Sequence, residues 1–416
     1  IAPNLMADGQ GGYRSQLIPS DWLPTMPRFP TTSRAADTVT DSVYTTLAPR
    51  AAASGRVVHP LHVGDTYLEP PMAARSESLL TQDHAGLHRY APVQGLPELL
   101  EAIRARIKAR AGWDVALDDL QVMAGATAGL NVVAQVLFEP GDELLLPAPF
   151  WPLARGLAAV RGARAVEVPF FTELDDPAFD PEAALERAVT ARTVAVYVNT
   201  PHNPTSRVLS DDVLAAIGRV AKRHDLWVLA DEAYQDLWLG QDAPQPIYTR
   251  PDFVGRTIAS HTLSKSYGYA GGRVGYTHGP SEVMRKIRGM QTFMTYGAPT
   301  PMQIGAARAL LEGDDFLATC RERYGRAGRA AARTLGVAPP AGGTFLFANV
   351  SHLIGTAADA TPLLERCADV GVLLTPGLVC GQGYEKWVRL CYTAVDEAAL
   401  ADALDRIAPF FAEAAT

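Results

Sequence analysis

Lys265 stands in the run SHTLSKSYGYAGGRVGY, with Thr262 and Ser264 beside it and Arg273 eight residues on. A primary amine can form an imine, and the two hydroxyls and the guanidinium fork are donors suited to a phosphate. Upstream, Asp231 lies in LADEAY and Asn203 in NTPHNPTS. No one of these residues is diagnostic. Three motifs in this order, each just after an apolar strand-like run, form a pattern that chance rarely supplies. The chemistry they suggest is covalent capture of an aldehyde that also carries a phosphate.

Such groups must be held by a scaffold, and the chain alternates short apolar runs with helical stretches. DELLLPAPF, TVAVYVNTP, LWVLADEAY and TIASHTLSK each read as a buried strand ending in a polar loop. Between the second and third the spacing predicts a helix, with Ser210 as N-cap, Asp211 and Asp212 in its first turn, Val213, Ile217 and Val220 inside, and Lys222 and Arg223 at its end. Ligands of open parallel sheets bind beyond the carboxyl ends of the strands, where Asn203, Asp231 and Lys265 all fall. Gly125, Ala126 and Thr127, in VMAGATAGLNVVAQVLF, precede a strongly apolar helix whose N-terminal amides suit a phosphate. A small-residue loop required for close packing is the plainer explanation. Thr262, Ser264 and Arg273 call for a phosphate independently, which favours the binding role.

The expected fold is α/β, a three-layer sandwich with a mostly parallel central sheet, plus a smaller α+β C-terminal domain. Residues 1–37 read as a Pro-rich and Gly-rich arm, 38–65 as an N-terminal segment of the small domain, 66–310 as the large cofactor-binding domain and 311–416 as the small domain. In the arm, apolar residues such as Trp22 and Leu23 show no period. Val39, Val43 and Leu47 predict a helix over Thr38 to Arg50, and Val57, Val58, Leu61 and Val63 read as a strand. A helix is plain from Leu96 to Arg110, with Pro97 in its first turn. After about Ala330, GTFLFANV, GVLLTPG and WVRLCYT read as strands, followed by a closing helix capped near Asp396.

At 416 residues the chain can bury two cores. A formal net charge of −8 argues against nucleic acid and anionic membrane as partners, since such binding is carried by excess Lys and Arg. Cys320, Cys367, Cys380 and Cys391 lack paired metal-ligand spacing and read as buried thiols of a reducing compartment. The start, IAPNLMADGQGGYRS, has neither a basic run nor an apolar core, and no stretch approaches the roughly 20 apolar residues of a membrane span. A cytoplasmic protein is expected. The histidines carry no metal spacing, and the glycines of GYAGGRVG lack the strand-turn-helix context of a dinucleotide fingerprint.

From about Thr38 to the C-terminus these motifs resemble the signatures of fold-type I pyridoxal-phosphate enzymes, the class I/II aminotransferases of the aspartate aminotransferase superfamily. The resemblance implies that Lys265 forms the internal aldimine with pyridoxal phosphate. Once displaced by an amino acid, it becomes the base that moves a proton between the substrate α-carbon and the cofactor. Burial and the cationic cofactor would lower its pKa for that task. Asp231 is implied to sit against the pyridine nitrogen. A strand-end helix cap competes for it, but Tyr234 three residues on matches the family's DEAY motif, in which the phenol bonds the cofactor's O3′. Asn203 is implied to bond the same oxygen and to contact substrate, against the alternative of a plain Asn-Pro turn. Trp151, in APFWP, resembles the aromatic that stacks on the pyridine ring; Phe150 is its rival, and the ring that does not stack is core.

By the same resemblance Tyr90, in HRYAPVQGLPELLEAI, crosses a subunit boundary to a neighbour's cofactor phosphate, which implies a homodimer with shared active sites. Arg389, in VRLCYT, resembles the arginine that grips the substrate α-carboxylate, and an arginine inside an apolar strand calls for an anionic partner. Gly64, in LHVGD, lies where the N-terminal segment enters the substrate pocket, with His62 beside it either contacting substrate or serving the fold. The family's NPTG is here NPTS, so the glycine that eases the turn is missing and its closure is left open. Where some dicarboxylate-specific relatives carry a lysine this chain has Thr127, which points to a neutral or aromatic amino donor. The expected activity is transfer of an amino group between an L-amino acid and a 2-oxo acid. Elimination, γ-replacement, cyclisation or oxidation on the same cofactor, as in aminocyclopropane-carboxylate synthase-like enzymes, is the alternative. A cofactor-sensing regulator would need a DNA-binding domain, and the first 30 residues are too short and too rich in Pro and Gly to form one.

Overall fold

The computed structural model describes residues 5–7, 13–15, 36, 44–79 and 82–412. In the first of two compact units, residues 1–40, strands β1 (Leu5–Ala7) and β2 (Tyr13–Ser15) pair antiparallel, a hairpin that the aperiodic sequence did not signal. Apart from Ala36, the rest of the arm lies outside the described residues.

The second unit is built on a seven-stranded sheet of β3 (Leu120–Met123), β4 (Glu143–Ala148), β5 (Arg164–Pro169), β6 (Thr193–Asn199), β7 (Trp227–Asp231), β8 (Thr257–Thr262) and β9 (Gly275–His278). Its order is β3-β9-β8-β7-β6-β4-β5, parallel except at β9, which runs antiparallel to both neighbours. Because side chains alternate along a strand, the sheet buries two faces. Leu145, Val196, Val198, Val228 and Ala230 pack under the helices Pro97–Ala111, Asp211–Arg223 and Thr300–Glu312. Leu144, Leu146, Tyr197, Leu229 and Ile258 pack under Ala126–Leu137 and Ser281–Met294. This is the three-layer sandwich. A second, antiparallel sheet of β10 (Phe345–Asn349), β11 (Thr375–Pro376) and β12 (Trp387–Cys391), in the order β10-β12-β11, is covered by Asp314–Leu335, Thr361–Asp369 and Glu397–Ala412. Among the described residues no helix is long and apolar enough to cross a membrane.

Local signals account for most boundaries. Ser210 Oγ accepts from Val213 N, and Asp396 Oδ1 accepts from Ala399 N, so both expected caps form. The helix expected over Thr38 to Arg50 instead runs Ala48–Ala53. Proline suits the first turn of a helix and disfavours helical backbone just before it, so Pro49 moves the start forward. Residues 38–43 lie outside the described residues. The strand expected around Val57 to Val63 is reduced to one bridge, His59 with Val372, and Val57 and Val63 are exposed.

β8 and β9 carry a buried histidine pair, His261 and His278, whose rings stack with Nε2 atoms 3.1 Å apart. One ring must donate and the other accept, so the accepting ring is a neutral imidazole. Burial pushes both below their ordinary pKa, His278 to about 3, with the neighbouring ring adding to the effect at His261. The unfolded chain therefore binds more protons below about pH 6.5, and stability falls as pH drops, by about 1.4 kcal/mol per pH unit per histidine. Urea unfolding of His278→Gln between pH 7 and 5 should show a shallower acid limb than the parent. Equal slopes would remove the pair from the pH response.

Candidate active site

The carboxyl ends of β6, β7 and β8 meet the small sheet around a cavity of about 230 Å³. Gly64, Ala126, Thr127, Trp151, Asn203, Asp231, Tyr234, Thr262, Ser264, Lys265, Arg273 and Arg389 all line it. Sequence positions spread from 64 to 389 thus converge on one space.

β8 ends at Thr262, whose hydroxyl accepts from Ser264 N at 3.2 Å and lies 2.8 Å from Ser264 Oγ, starting the short helix Leu263–Ser266. That turn projects Lys265 into the cavity, where Nζ donates to the carbonyl of Gly64. Burial is the main cause that lowers the lysine pKa; Arg273 and Arg389 add to it, and Cys391 and Asp65 oppose it. Arg273 sits at φ 51° after Ala270–Gly272 and donates to the carbonyls of Ala270 (3.0 Å) and Ala124 (3.1 Å). Its guanidinium lies against Gly125, the N-cap of Ala126–Leu137, where an added Cβ would stand 2.7 Å from Nη2. Only glycine leaves that room, and φ of 86° favours it as well. The arginine, the Thr262 and Ser264 hydroxyls and the helix N-terminus line the same cavity, an arrangement of donors that could hold an anion.

At the floor, Asp231 ends β7. Its Oδ2 accepts from Tyr197 Oη at 2.5 Å, its Oδ1 from Ala233 N at 3.1 Å, and its backbone carbonyl from Asn199 Nδ2 at 2.8 Å. Burial pushes this carboxyl up to about 6, against the lowering effect of the two donors. Among the described residues it has no basic partner within ion-pair distance, which leaves a buried acid suited to a cationic ligand group.

Asn203 lies in the turn after β6, its N bonded to Asn199 Oδ1. The side chain spans the cavity, with Nδ2 3.4 Å from Tyr234 Oη and Oδ1 accepting from Arg389 Nη1 at 3.1 Å. Ser206 closes this turn at φ 58°, with its N on His202 O, so a serine occupies the left-handed position that a glycine would fill. Its hydroxyl donates to the carbonyl of Phe345 and ties the turn to β10.

Arg389, on β12, is only 2% exposed. Its Nη2 reaches His62 O and Thr375 Oγ1, both at 3.3 Å, and the rings of Phe345 and Tyr44 pack on it at 4.3 and 5.4 Å. It has no acidic partner among the described residues, so a buried guanidinium faces the cavity with donors to spare. His62 contributes its carbonyl, and its ring is absent from the cavity lining; burial, with Arg389 near, lowers its pKa. Of the rival rings, Trp151 lines the cavity and Phe150 is core. Tyr90 is away from it, 85% exposed, with its ring 4.8 Å from that of Tyr296. Sequence reading missed Tyr44, Val63, Leu130 and Leu153 in the lining, and Tyr197 beneath Asp231. Apolar residues in helices and loops carry no signal of which cavity they face; Tyr197 was hidden in a buried run.

The family model for aminotransferase class I and II matches residues 57–407. The chain is 31% identical over 340 residues to an arginine–pyruvate transaminase of Pseudomonas aeruginosa, covering 79% of this chain and 84% of that one. It is 30% identical over 382 residues to an aspartate/prephenate aminotransferase of Cereibacter sphaeroides, covering 88% and 94%. Among solved structures, N-succinyldiaminopimelate aminotransferase from Mycobacterium tuberculosis superposes with a TM-score of 0.83 at 28% identity, over 91% of this chain and all of that one. Aspartate aminotransferase from Thermus thermophilus with maleate gives 0.81 at 27%, over 91% and 99%.

Proposed function

Since the chain belongs to the class I and II aminotransferases, which depend on pyridoxal phosphate, we propose that it moves the amino group of a neutral or aromatic L-amino acid to a 2-oxo acid in this cavity. The observation that carries the substrate class is the lining. Its cations are Lys265, Arg273 and Arg389, and no fourth lines it among the described residues of this chain. Val63, Leu130, Leu153, Phe345 and Tyr44 supply apolar surface instead. An apolar side chain gains about 25 cal/mol per Å² buried there, whereas an unpaired carboxylate would be penalised.

The residues fit the cofactor. Thr262, Ser264, Arg273 and the amides at Ala126 and Thr127 would hold its phosphate, Trp151 its ring face, Asn203 and Tyr234 its phenolic oxygen, and Asp231 its ring nitrogen. Bound there, pyridoxal phosphate supplies an aldehyde carbon for amines and a ring that takes up the electron pair released at the substrate α-carbon. Lys265 is the amine that anchors the cofactor and then moves the proton at that carbon, and its burial favours the neutral form this requires. Arg389 orients the substrate by its carboxylate. Asp231 keeps a positive charge on the ring nitrogen.

Gly125→Ala should weaken pyridoxal phosphate binding about 10-fold to 100-fold, because a Cβ there displaces Arg273 and strains the backbone. Equilibrium dialysis reads this, and unchanged affinity would remove this arrangement of donors from phosphate binding. The exposed rings of Tyr90 and Tyr296, which pack on each other, and of Phe293, 90% exposed, are apolar surface that a second subunit would cover, which supports a homodimer with shared sites. A monomer by sedimentation at micromolar concentration would overturn that. The four buried, free thiols support a reducing, cytoplasmic setting.

The deciding experiment is a single-turnover absorbance scan of the cofactor-loaded protein against a panel of amino acids, with keto acid assayed. Conversion to the pyridoxamine form with stoichiometric keto acid, fastest for apolar donors, is the expected result. Preference for aspartate or glutamate would overturn the substrate class. Product released while the cofactor stays an aldehyde would place the reaction among eliminations, replacements, cyclisations or oxidations.

A further inference from the structure

Asp231 rests on a phenol. β6 and β7 are parallel, with Tyr197 opposite Leu229 and Asn199 opposite Asp231. Residues two apart share a face, so Tyr197 and Asp231 lie on the same side of the sheet as diagonal neighbours, within reach of a long side chain. The direct neighbour, Asn199, is committed to backbone groups, the Asp231 carbonyl and the Asn203 amide. That leaves Tyr197 as the side chain that bonds the carboxylate among the described residues, at 2.5 Å. This is the length of an O–H···O⁻ bond, shorter than that between neutral groups. The phenol is 2% exposed; burial and the adjacent carboxylate raise its pKa far above the ordinary value, so it stays a donor.

We propose that Tyr197 is a positioning residue, which holds the Asp231 carboxylate ionised and fixed in aim toward the ring nitrogen of the bound cofactor. The inference rests on the reading of Asp231 given under Proposed function. Burial opposes ionisation of this acid, and two hydrogen bonds oppose burial. One of the two is a backbone amide, set by the turn after β7. The phenol is the part that a side-chain substitution can change. Without it the acid would take up a proton at higher pH, and a neutral carboxyl cannot hold a positive charge on the ring.

The test uses apo-protein and pyridoxal phosphate, with dissociation constants from quenching of tryptophan fluorescence between pH 5.5 and 9. Tyr197→Phe keeps the ring and removes the hydroxyl. It should weaken cofactor binding about 10-fold to 100-fold at neutral pH, and move the acid limb of the affinity profile up by about one to two pH units, the size of a hydrogen bond to a charged group. Tyr197→His, which restores a donor, should recover part of the shift. In an Asp231→Asn background Tyr197→Phe should change nothing, since no carboxylate remains to be held.

A Tyr197→Phe profile that superposes on the parent, while Asp231→Asn weakens binding, would overturn the role of Tyr197 and leave that of Asp231 intact. Equal weakening by Tyr197→Phe in both backgrounds would make the phenol a core contact only. Asp231→Asn without effect on binding or its pH dependence would overturn the reading of Asp231, and the proposal with it.

Discussion

Lys265→Ala is expected to abolish transamination, with kcat reduced at least about 10³-fold, because the proposed assignment gives one amine both the anchoring of the cofactor and the movement of the proton. Two readouts separate loss of the anchor from loss of the fold. The visible absorption of covalently held cofactor should disappear and the cofactor should be lost on dialysis. The far-ultraviolet circular dichroism should be unchanged, since the side chain makes one hydrogen bond, to the Gly64 carbonyl. A variant that kept the visible band after dialysis would sink the assignment of Lys265. Restoring turnover with a small soluble amine would support the proton-moving duty, since a diffusing base can replace a missing one.

Arg389→Ala should lower kcat/KM for amino acids about 10²-fold to 10³-fold, within the 2–5 kcal/mol lost when one partner of a buried charged pair is truncated. Asn203 Oδ1, Thr375 Oγ1 and the His62 carbonyl would also lose a donor. Lysine should not restore the loss, because a point charge cannot reproduce two parallel bonds. The informative control is an amine with the same side chain but no carboxylate. It should react slowly with both proteins and lose little on substitution. Equal losses for amino acid and amine would make Arg389 a structural residue, not a carboxylate site.

The sequence made the chemistry more legible than the scaffold around it. Lys265, Asp231 and Asn203 each follow a run apolar enough to be a fully buried strand, and such strands end at the ligand-bearing edge of a parallel sheet. Position along the chain therefore implied position in space. Legibility failed where a strand was short or mixed. β3 is four residues leading into a helix, β5 carries Arg164 and Glu167 on the sheet edge, and β9 starts at the end of the glycine-rich GYAGGRVG, where no strand was expected. The reverse error, a strand through Val57 to Val63, came from apolar residues that find no partner strand beyond one bridge. Tyr197 was unreadable for a different reason. In TVAVYVNTP it looks like one more core residue, and its role appears only with the register that sets it diagonally from Asp231.

Asn203 lets the two ends of the cavity inform one another. Arg389 can only donate, so it fixes the amide with its oxygen toward the guanidinium and its nitrogen toward Tyr234. One rigid planar group thus records whether the guanidinium is engaged and what the tyrosine receives. With Arg389 on the substrate carboxylate and Asn203 and Tyr234 on the cofactor, as proposed, substrate preference and cofactor grip would not be independent traits in the evolution of this chain. A lineage drifting toward donors without a carboxylate would have to re-solve the Tyr234 contact as well, and laboratory selection for such donors should recover changes at 203 and 234 together.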